Sequence, residues 1–221
     1  MQIYLINICS FDEKDIDKLI NAISITKLPN YKYFDDIKRF VLSEMFKYFG
    51  YKMYTGIDKH IEVKRGKNGK PYYSACEVFF NISHAGDYVA MAICDSEIGI
   101  DIEPNTYCNF DNLLDLFYPT ERRQVQSGRM SFYELWCAKE AYLKYTGDGL
   151  SNGVDSCLIL NEDKITVNDC NGKKIPCNIQ KINIIDNYTI VVCNKEKNIG
   201  INTQILNKAI IMNYIKEEDY V

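Results

Sequence analysis

The sequence has only two histidines, one tryptophan and five prolines in 221 residues. No uninterrupted apolar run approaches the roughly 20 residues that a bilayer-spanning helix needs. The first fifteen residues, MQIYLINICSFDEKD, lack a basic n-region, so their apolar part is expected to be a strand and not a targeting segment. A cytoplasmic location without membrane contact is expected from this. CxxC is also missing. Nine cysteines are scattered singly from Cys9 to Cys193, and an odd number cannot all pair internally. The nearest approach to a metal knuckle, Cys170 to Cys177, has the wrong spacing for a zinc ribbon, and Asn171-Gly172 suits a hairpin turn. The cysteines are expected to be small buried hydrophobes. No GxxxxGK[ST] loop and no kinase motif set occurs, which disfavours the common nucleotide-dependent transferases.

What is present is an ordinary globular composition, 47% hydrophobic and 25% charged, long enough for one large domain or two small ones. The net charge of −4 conceals an asymmetry. Between Lys27 and Tyr73 there are eleven basic and five acidic residues, a local excess of six, so the remainder carries −10. Such a segment suits a polyanionic ligand, or is simply a solvated lysine-rich surface. Aromatics are not interleaved with these bases in a recognisable motif, so nucleic acid is not the expected partner.

Patterning predicts a strand over 2–9 and helices over 12–23 and 34–49, the second from Ile37, Val41, Met45 and Tyr48 at three- and four-residue intervals. Three strand-like runs follow, VFFNIS (78–83), YVAMAIC (88–94) and EIGIDIE (97–103), whose short connections predict an antiparallel meander. Helices are predicted at 119–128 and 131–146, and the chain is strand-like again near its end. The class is therefore α+β. Helices followed by strands occur twice, which suggests two similarly built, closely packed lobes, 1–104 and 105–221.

Three segments carry chemistry. In EIGIDIE, period-two alternation puts Ile98, Ile100 and Ile102 on one face and Gly99, Asp101 and Glu103 on the other. The adjacent carboxylates call for a cation, and the glycine is expected to leave room for a ligand. In SFYELWCAKEAYLKYTG, Ser131 and Glu134 form a capping-box pattern and Gly147 ends the helix. Lys139, Glu140 and Lys144 share a helical stripe with Trp136, where an amphipathic helix would segregate its charges. Asp101, Glu103 and Glu140 together would make an oxygen site suited to Mg²⁺, with lysines placed for phosphates. In FNISHAGD, Ser83 and His84 stand at a strand end, where the imidazole could bind phosphate or move a proton.

The ordered set GKP (69–71), FNISHAGD (80–87), IGIDIE (98–103) and WCAKEAYLKYTGDGL (136–150) resembles the 4′-phosphopantetheinyl transferases, in particular their monomeric, double-lobed Sfp-type branch, which primes nonribosomal peptide and polyketide synthases. The motifs span about 80 residues, and the flanks agree only in layout. The resemblance implies two α+β lobes in a pseudo-twofold relation, with the active site at their interface. It implies transfer of phosphopantetheine from coenzyme A to a serine of an apo acyl or peptidyl carrier protein, with Mg²⁺ and release of 3′,5′-ADP. By the same resemblance Asp101, Glu103 and Glu140 hold the metal, and Lys144 neutralises or protonates the departing phosphate. His84, Ser83, Lys139 and Lys70 are then on the coenzyme A side, Lys27 and Arg39 (or Lys32 or Lys38) grip its 3′-phosphate, and Glu121 is a helper base. The region TKLPNYKYFDDIKRF is poorer in arginine than its counterparts in the family. Phe110, Leu113, Leu114, Phe117 and Tyr118 are expected to dock the carrier, and the layout suits a monomer. A non-catalytic coenzyme A or carrier-binding module is the competing expectation. Such a protein would have lost a metal ligand or Lys144, and all four positions are filled.

Overall fold

The structure is a computed structural model describing residues 1–59, 61–66, 68–74, 76–106, 110–148, 157–161, 164–195 and 200–216. His60, Lys67, Cys108 and the Gly149-Leu150 end of the last motif lie outside the described residues. The chain is α+β, and its strands form two main sheets. Strand β1 (Gln2–Asn7) pairs in parallel with β11 (Asn202–Leu206) and antiparallel with β5 (Tyr88–Cys94), which pairs antiparallel with β4 (Phe79–Ala85). The second sheet is β6 (Ile98–Pro104), β10 (Tyr188–Asn194) and β9 (Asn178–Ile182), all antiparallel. Two small hairpins complete the strands, β2 (Val63–Arg65) with β3 (Pro71–Tyr73), and β7 (Leu158–Asn161) with β8 (Ile165–Asn168).

Alternation along these strands builds a helix–sheet–sheet–helix stack. Val89, Met91 and Ile93 face helices α1 (Glu13–Ala22), α2 (Phe34–Thr55) and α6 (Lys208–Lys216), while Ala90, Ala92 and Cys94 face the second sheet. Ile98, Ile100 and Ile102, fully buried, meet them with Ile190 and Val192 in this inter-sheet core. On the far side, Val191 and Cys193 pack under helix α5 (Phe132–Thr146). The short α3 (Asp111–Leu114) and the helix α4 (Pro119–Gln126), with proline at its first turn, lie beside it.

The predicted meander is corrected. The hairpin β4–β5 forms, but β6 leaves that sheet and pairs with β10 instead. A short connection does not oblige the next strand to pair with the previous one when the isoleucine face is better buried between two sheets. Sheet membership therefore follows no single cut of the chain, since β6 belongs with the second sheet while β11 and α6 return to the first. Strand β1 ends at Asn7, and residues 8–10 form a 3-10 turn capped by Asn7. Helix α2 runs six residues past its expected end, through Gly50, to a left-handed cap at Gly56. Glycine is tolerated mid-helix because a Cβ there would lie 2.4 Å from Met91 Cε and 2.7 Å from the Tyr73 hydroxyl. Of the described cysteines, Cys94, Cys137, Cys157, Cys177 and Cys193 are buried as expected, but Cys9 and Cys170 are exposed. The Asn171-Gly172 turn is present, with Gly172 at φ 78° and Asp169 N–H bonded to the Lys173 carbonyl.

Candidate active site

The site lies where the two sheets meet. Strand β4 brings Asn81 and Ser83 to one face, and β6 brings Asp101 and Glu103 against it. Because no backbone ladder joins β4 to β6, side chains close the seam. Asn81 Oδ1 accepts from Ile100 N–H at 2.9 Å, and Ser83 Oγ–H donates to Asp101 Oδ1 at 2.8 Å. Both side chains are buried. Asn81 had no assigned role in the sequence reading. A lone amide inside a buried, alternating strand was the available signal, since a buried polar group needs a partner.

Helix α5 supplies the rest. Ser131 and Glu134 form the expected capping box, and Gly147 caps the other end at φ 75°. Gly99 sets how close the helix comes: a Cβ there would sit 2.0 Å from the Ala141 carbonyl oxygen and 2.5 Å from Tyr145 N. The expected ligand room is thus taken by α5 itself, which is a correction to the reading of that glycine. At this distance Lys144 Nζ reaches Asp101 Oδ1 at 2.6 Å and Ser83 Oγ at 2.9 Å. Lys144, Ser83 and Asp101 form a closed triangle.

Two carboxylate oxygens in this region are buried without a hydrogen-bond partner, Asp101 Oδ2 and Glu140 Oε1. Unmet acceptors of this kind are costly unless a cation meets them. Glu103, on the same face, has its pKa pushed up to about 7. Burial is the main cause; the neighbouring Asp101 and Glu140 charges add to it, while Lys144 and a hydrogen bond from Trp136 oppose it. Burial also raises Glu140, against the pull of Lys144. The residues fit a hard, oxygen-loving cation in donor type and in unmet valence. Among the described residues, however, no three His, Cys, Asp or Glu side chains converge as a ready-made metal cluster. Three carboxylates repel one another, and Lys144 already occupies one oxygen of Asp101.

His84, at the exposed end of β4, is held below the ordinary imidazole pKa by desolvation and by the Arg39 and Lys144 cations. Arg39, on α2, donates to the Gly86 carbonyl at 2.5 Å and pairs with Asp36 at 2.6 Å. The cations of Arg39 on α2 and Lys144 on α5 therefore both act on the His84 imidazole at one end of the seam. Lys27 is exposed and lines a separate cavity of about 500 Å³ together with Lys47, Arg65, Phe40 and Tyr48; Arg39 does not line it. Lys47 and Arg65 had no assigned role beyond the basic run.

Two expected site residues stand elsewhere. Lys139 and Glu121 are an ion pair at 2.8 Å, both side chains fully buried. Glu121 also accepts from Ile159 N–H at 2.6 Å and Tyr118 N–H at 3.0 Å, and Lys139 donates to the Cys157 carbonyl at 2.6 Å. The lysine lies over the Phe117 and Tyr118 rings. Neither charged group is open to solvent, so the structure does not offer Lys139 to a ligand or Glu121 to a substrate proton. Lys70 is likewise engaged, with Glu97, Ile98 and Tyr145. Trp136 packs, stacked on Phe132 and edge-on to Phe117. In the expected docking segment Leu114 and Phe117 are buried, whereas Leu113 and Leu116 are 40% and 53% exposed. Which of these face out is decided by the packing of α3 and the turn that follows it, which the sequence alone does not show.

Comparison with known proteins gives two adjoining family matches. Residues 97–193 match the 4′-phosphopantetheinyl transferase superfamily, and residues 14–96 match the N-terminal region of a 4′-phosphopantetheinyl transferase family. The chain is 29% identical to the 4′-phosphopantetheinyl transferase psf-1 of Bacillus pumilus, over 93% of this chain and 95% of that protein. It is 30% identical to a 4′-phosphopantetheinyl transferase of Bacillus subtilis, over 80% and 84% respectively. With 4′-phosphopantetheinyl transferase Sfp of Bacillus subtilis strain 168 it shares 31% identity over 53% of this chain and 55% of that one.

Proposed function

The chain belongs to the 4′-phosphopantetheinyl transferase superfamily and is a transferase of the Sfp type, and on that premise we propose the following reaction for it. It carries the 4′-phosphopantetheine group of coenzyme A to a serine hydroxyl of an apo acyl or peptidyl carrier protein. The observation that carries this reading is the Lys144–Ser83–Asp101 triangle beside two buried, unpartnered carboxylate oxygens. A lysine placed among carboxylates with spare acceptor capacity suits a phosphoryl transfer, where charge neutralisation and positioning do most of the work.

The serine oxygen forms a bond to the β-phosphorus, and the bond from that phosphorus to the bridging oxygen breaks. The electron pair leaves with 3′,5′-ADP. Lys144, 27% exposed in its side chain and anchored by Asp101, meets the charge developing on the departing phosphate. A carboxylate of this cluster takes the serine proton. Ser83 orients the lysine, accepting from it and donating to Asp101. Asp101, Glu103 and Glu140 would hold Mg²⁺, which when bound supplies positive charge to the pyrophosphate oxygens. His84 and Arg39 face the phosphates from the first sheet's side, and Lys27 takes the 3′-phosphate end at its cavity. Lys139 and Glu121 support α5 from behind. The exposed Leu113 and Leu116 receive the carrier, and the protein works as a cytoplasmic monomer serving peptide or polyketide assembly.

The test is incubation with coenzyme A, Mg²⁺ and purified apo carriers of the fatty-acid, polyketide and peptide-synthetase classes, followed by carrier mass. A gain of one phosphopantetheine group, lost with EDTA and with Asp101→Ala, is the expected result and names the carrier class. Coenzyme A binding without any transfer would make the chain a non-catalytic module.

A further inference from the structure

Lys70 immediately precedes β3, in the GKP turn that the family resemblance gives to coenzyme A. Its ammonium is spent on the protein. Nζ donates to Glu97 Oε2 at 2.7 Å, to the Ile98 carbonyl at 3.1 Å and to the Tyr145 carbonyl at 3.1 Å. A lysine has three N–H donors, so all three are used and none is left for a phosphate oxygen.

The acceptors are placed with consequence. Ile98 opens β6, the strand of Asp101 and Glu103, and Tyr145 lies in the last turn of α5, the helix of Glu140 and Lys144. The Tyr145 carbonyl is among the four that a helix leaves without an internal partner, and a cation there also favours the helix dipole. Next to it, Asn68 Nδ2 donates to the carbonyl of the capping residue Gly147 at 3.0 Å. At the same level Gly99 lets the backbones of β6 and α5 touch. No hydrogen-bond ladder joins strand and helix, so their register is held by the close contact at Gly99, by the Lys144–Asp101 pair and, at this end, by the bonds of Lys70.

We propose that the Lys70 ammonium is a positioning group which, by tying the first residue of β6 to the last turn of α5, sets the register of Asp101 and Glu103 against Glu140 and Lys144 and is not spent on a coenzyme A phosphate. The inference rests on the transferase reading for what those four side chains do. Loss of a partner bonded directly to a metal ligand costs about 10–100-fold in metal affinity or activity, and a tether one step further out is expected at the low end of that range.

The experiment compares wild type with Lys70→Met and Asn68→Ala in two readouts. Mn²⁺ binding to the coenzyme A complex is followed by electron paramagnetic resonance, and transfer is resolved into kcat and KM. Lys70→Met is expected to weaken Mn²⁺ binding and lower kcat by on the order of tenfold, with KM for coenzyme A unchanged. Asn68→Ala, which keeps the lysine and removes one tether, should shift both readouts in the same direction by a smaller factor. It carries the test if Lys70→Met does not fold. A raised KM for coenzyme A with kcat and Mn²⁺ affinity intact would make Lys70 a phosphate ligand and overturn the proposal, as would no change in any readout. If wild type binds Mn²⁺ but modifies no carrier, the transferase reading fails while the Mn²⁺ comparison still judges Lys70. If wild type does neither, both fail.

Discussion

Helix α5 carries two lysines five residues apart, each paired with a carboxylate, and the two pairs have opposite characters. Lys139 and Glu121 are sealed, with both side chains fully buried and both Glu121 oxygens met by donors. Lys144 and Asp101 stand at the sheet seam, with the lysine partly open and Asp101 Oδ2 unpartnered. The residue types are alike, and the difference is unfinished coordination. A saturated pair in a dry core is structural, because nothing remains with which to meet a ligand. An unsaturated pair at an opening can exchange its partners for substrate charge.

Four predictions sharpen or break this contrast. The largest effect belongs to the sealed pair. Lys139→Met removes the counter-ion of buried Glu121, which costs about 3–5 kcal/mol, whereas Lys139→Met with Glu121→Leu should recover much of that loss in urea melts. A Lys139→Met protein that melts like wild type would contradict the structural assignment. Next, Lys144→Met should lower kcat by on the order of 10²–10³ while shifting the melt little, since the lysine is partly solvated. Were it to melt as early as Lys139→Met, the two pairs would not be functionally distinct.

A third effect is electrostatic. In the folded, metal-free protein Glu103 keeps its proton up to about pH 7, whereas in the unfolded chain it ionises near 4.5. Between those values the folded state binds more protons, so stability falls as pH rises through the window, by at most about 1.4 kcal/mol per pH unit. Melts of EDTA-treated wild type and Glu103→Gln across this range should show the slope in the first and less of it in the second. Mg²⁺ should flatten it, because the metal favours the ionised carboxylate. The smallest effect on stability is at the surface. Leu113→Ala and Leu116→Ala should stay within about 0.5 kcal/mol of wild type and weaken carrier binding. Leu114→Ala and Phe117→Ala, buried in the same segment, should cost about 2–5 kcal/mol.

Much of this molecule was legible from the chain alone. Periodicity located α5 and its caps to within a residue, and the two faces of β6 came directly from alternation. Asp101, Glu103, Glu140 and Lys144 were identified from residue type and spacing before any contact was known, and three of them carry the unmet or perturbed groups of the site. Lys139, read from its helical stripe, and Glu121, taken from the family resemblance, stand instead in a buried ion pair. A lysine on a helical stripe near carboxylates looks the same in sequence whether the stripe faces a cleft or a second core. The role of Gly99 could not be read either, because a glycine that admits a ligand and one that admits a helix have identical signatures.

Local physics, then, belongs to the sequence: which segments are helix or strand, which side of each is apolar, and which acids are too close together to be left without a cation. Those follow from interactions a few residues apart. The partner of β6, the return of β11 to β1, the sealing of Glu121 with Lys139 and the engagement of Lys70 by three acceptors depend on groups up to some two hundred residues distant. Only packing of the two sheets decides them, since burial and hydrogen-bond satisfaction are properties of the assembled whole.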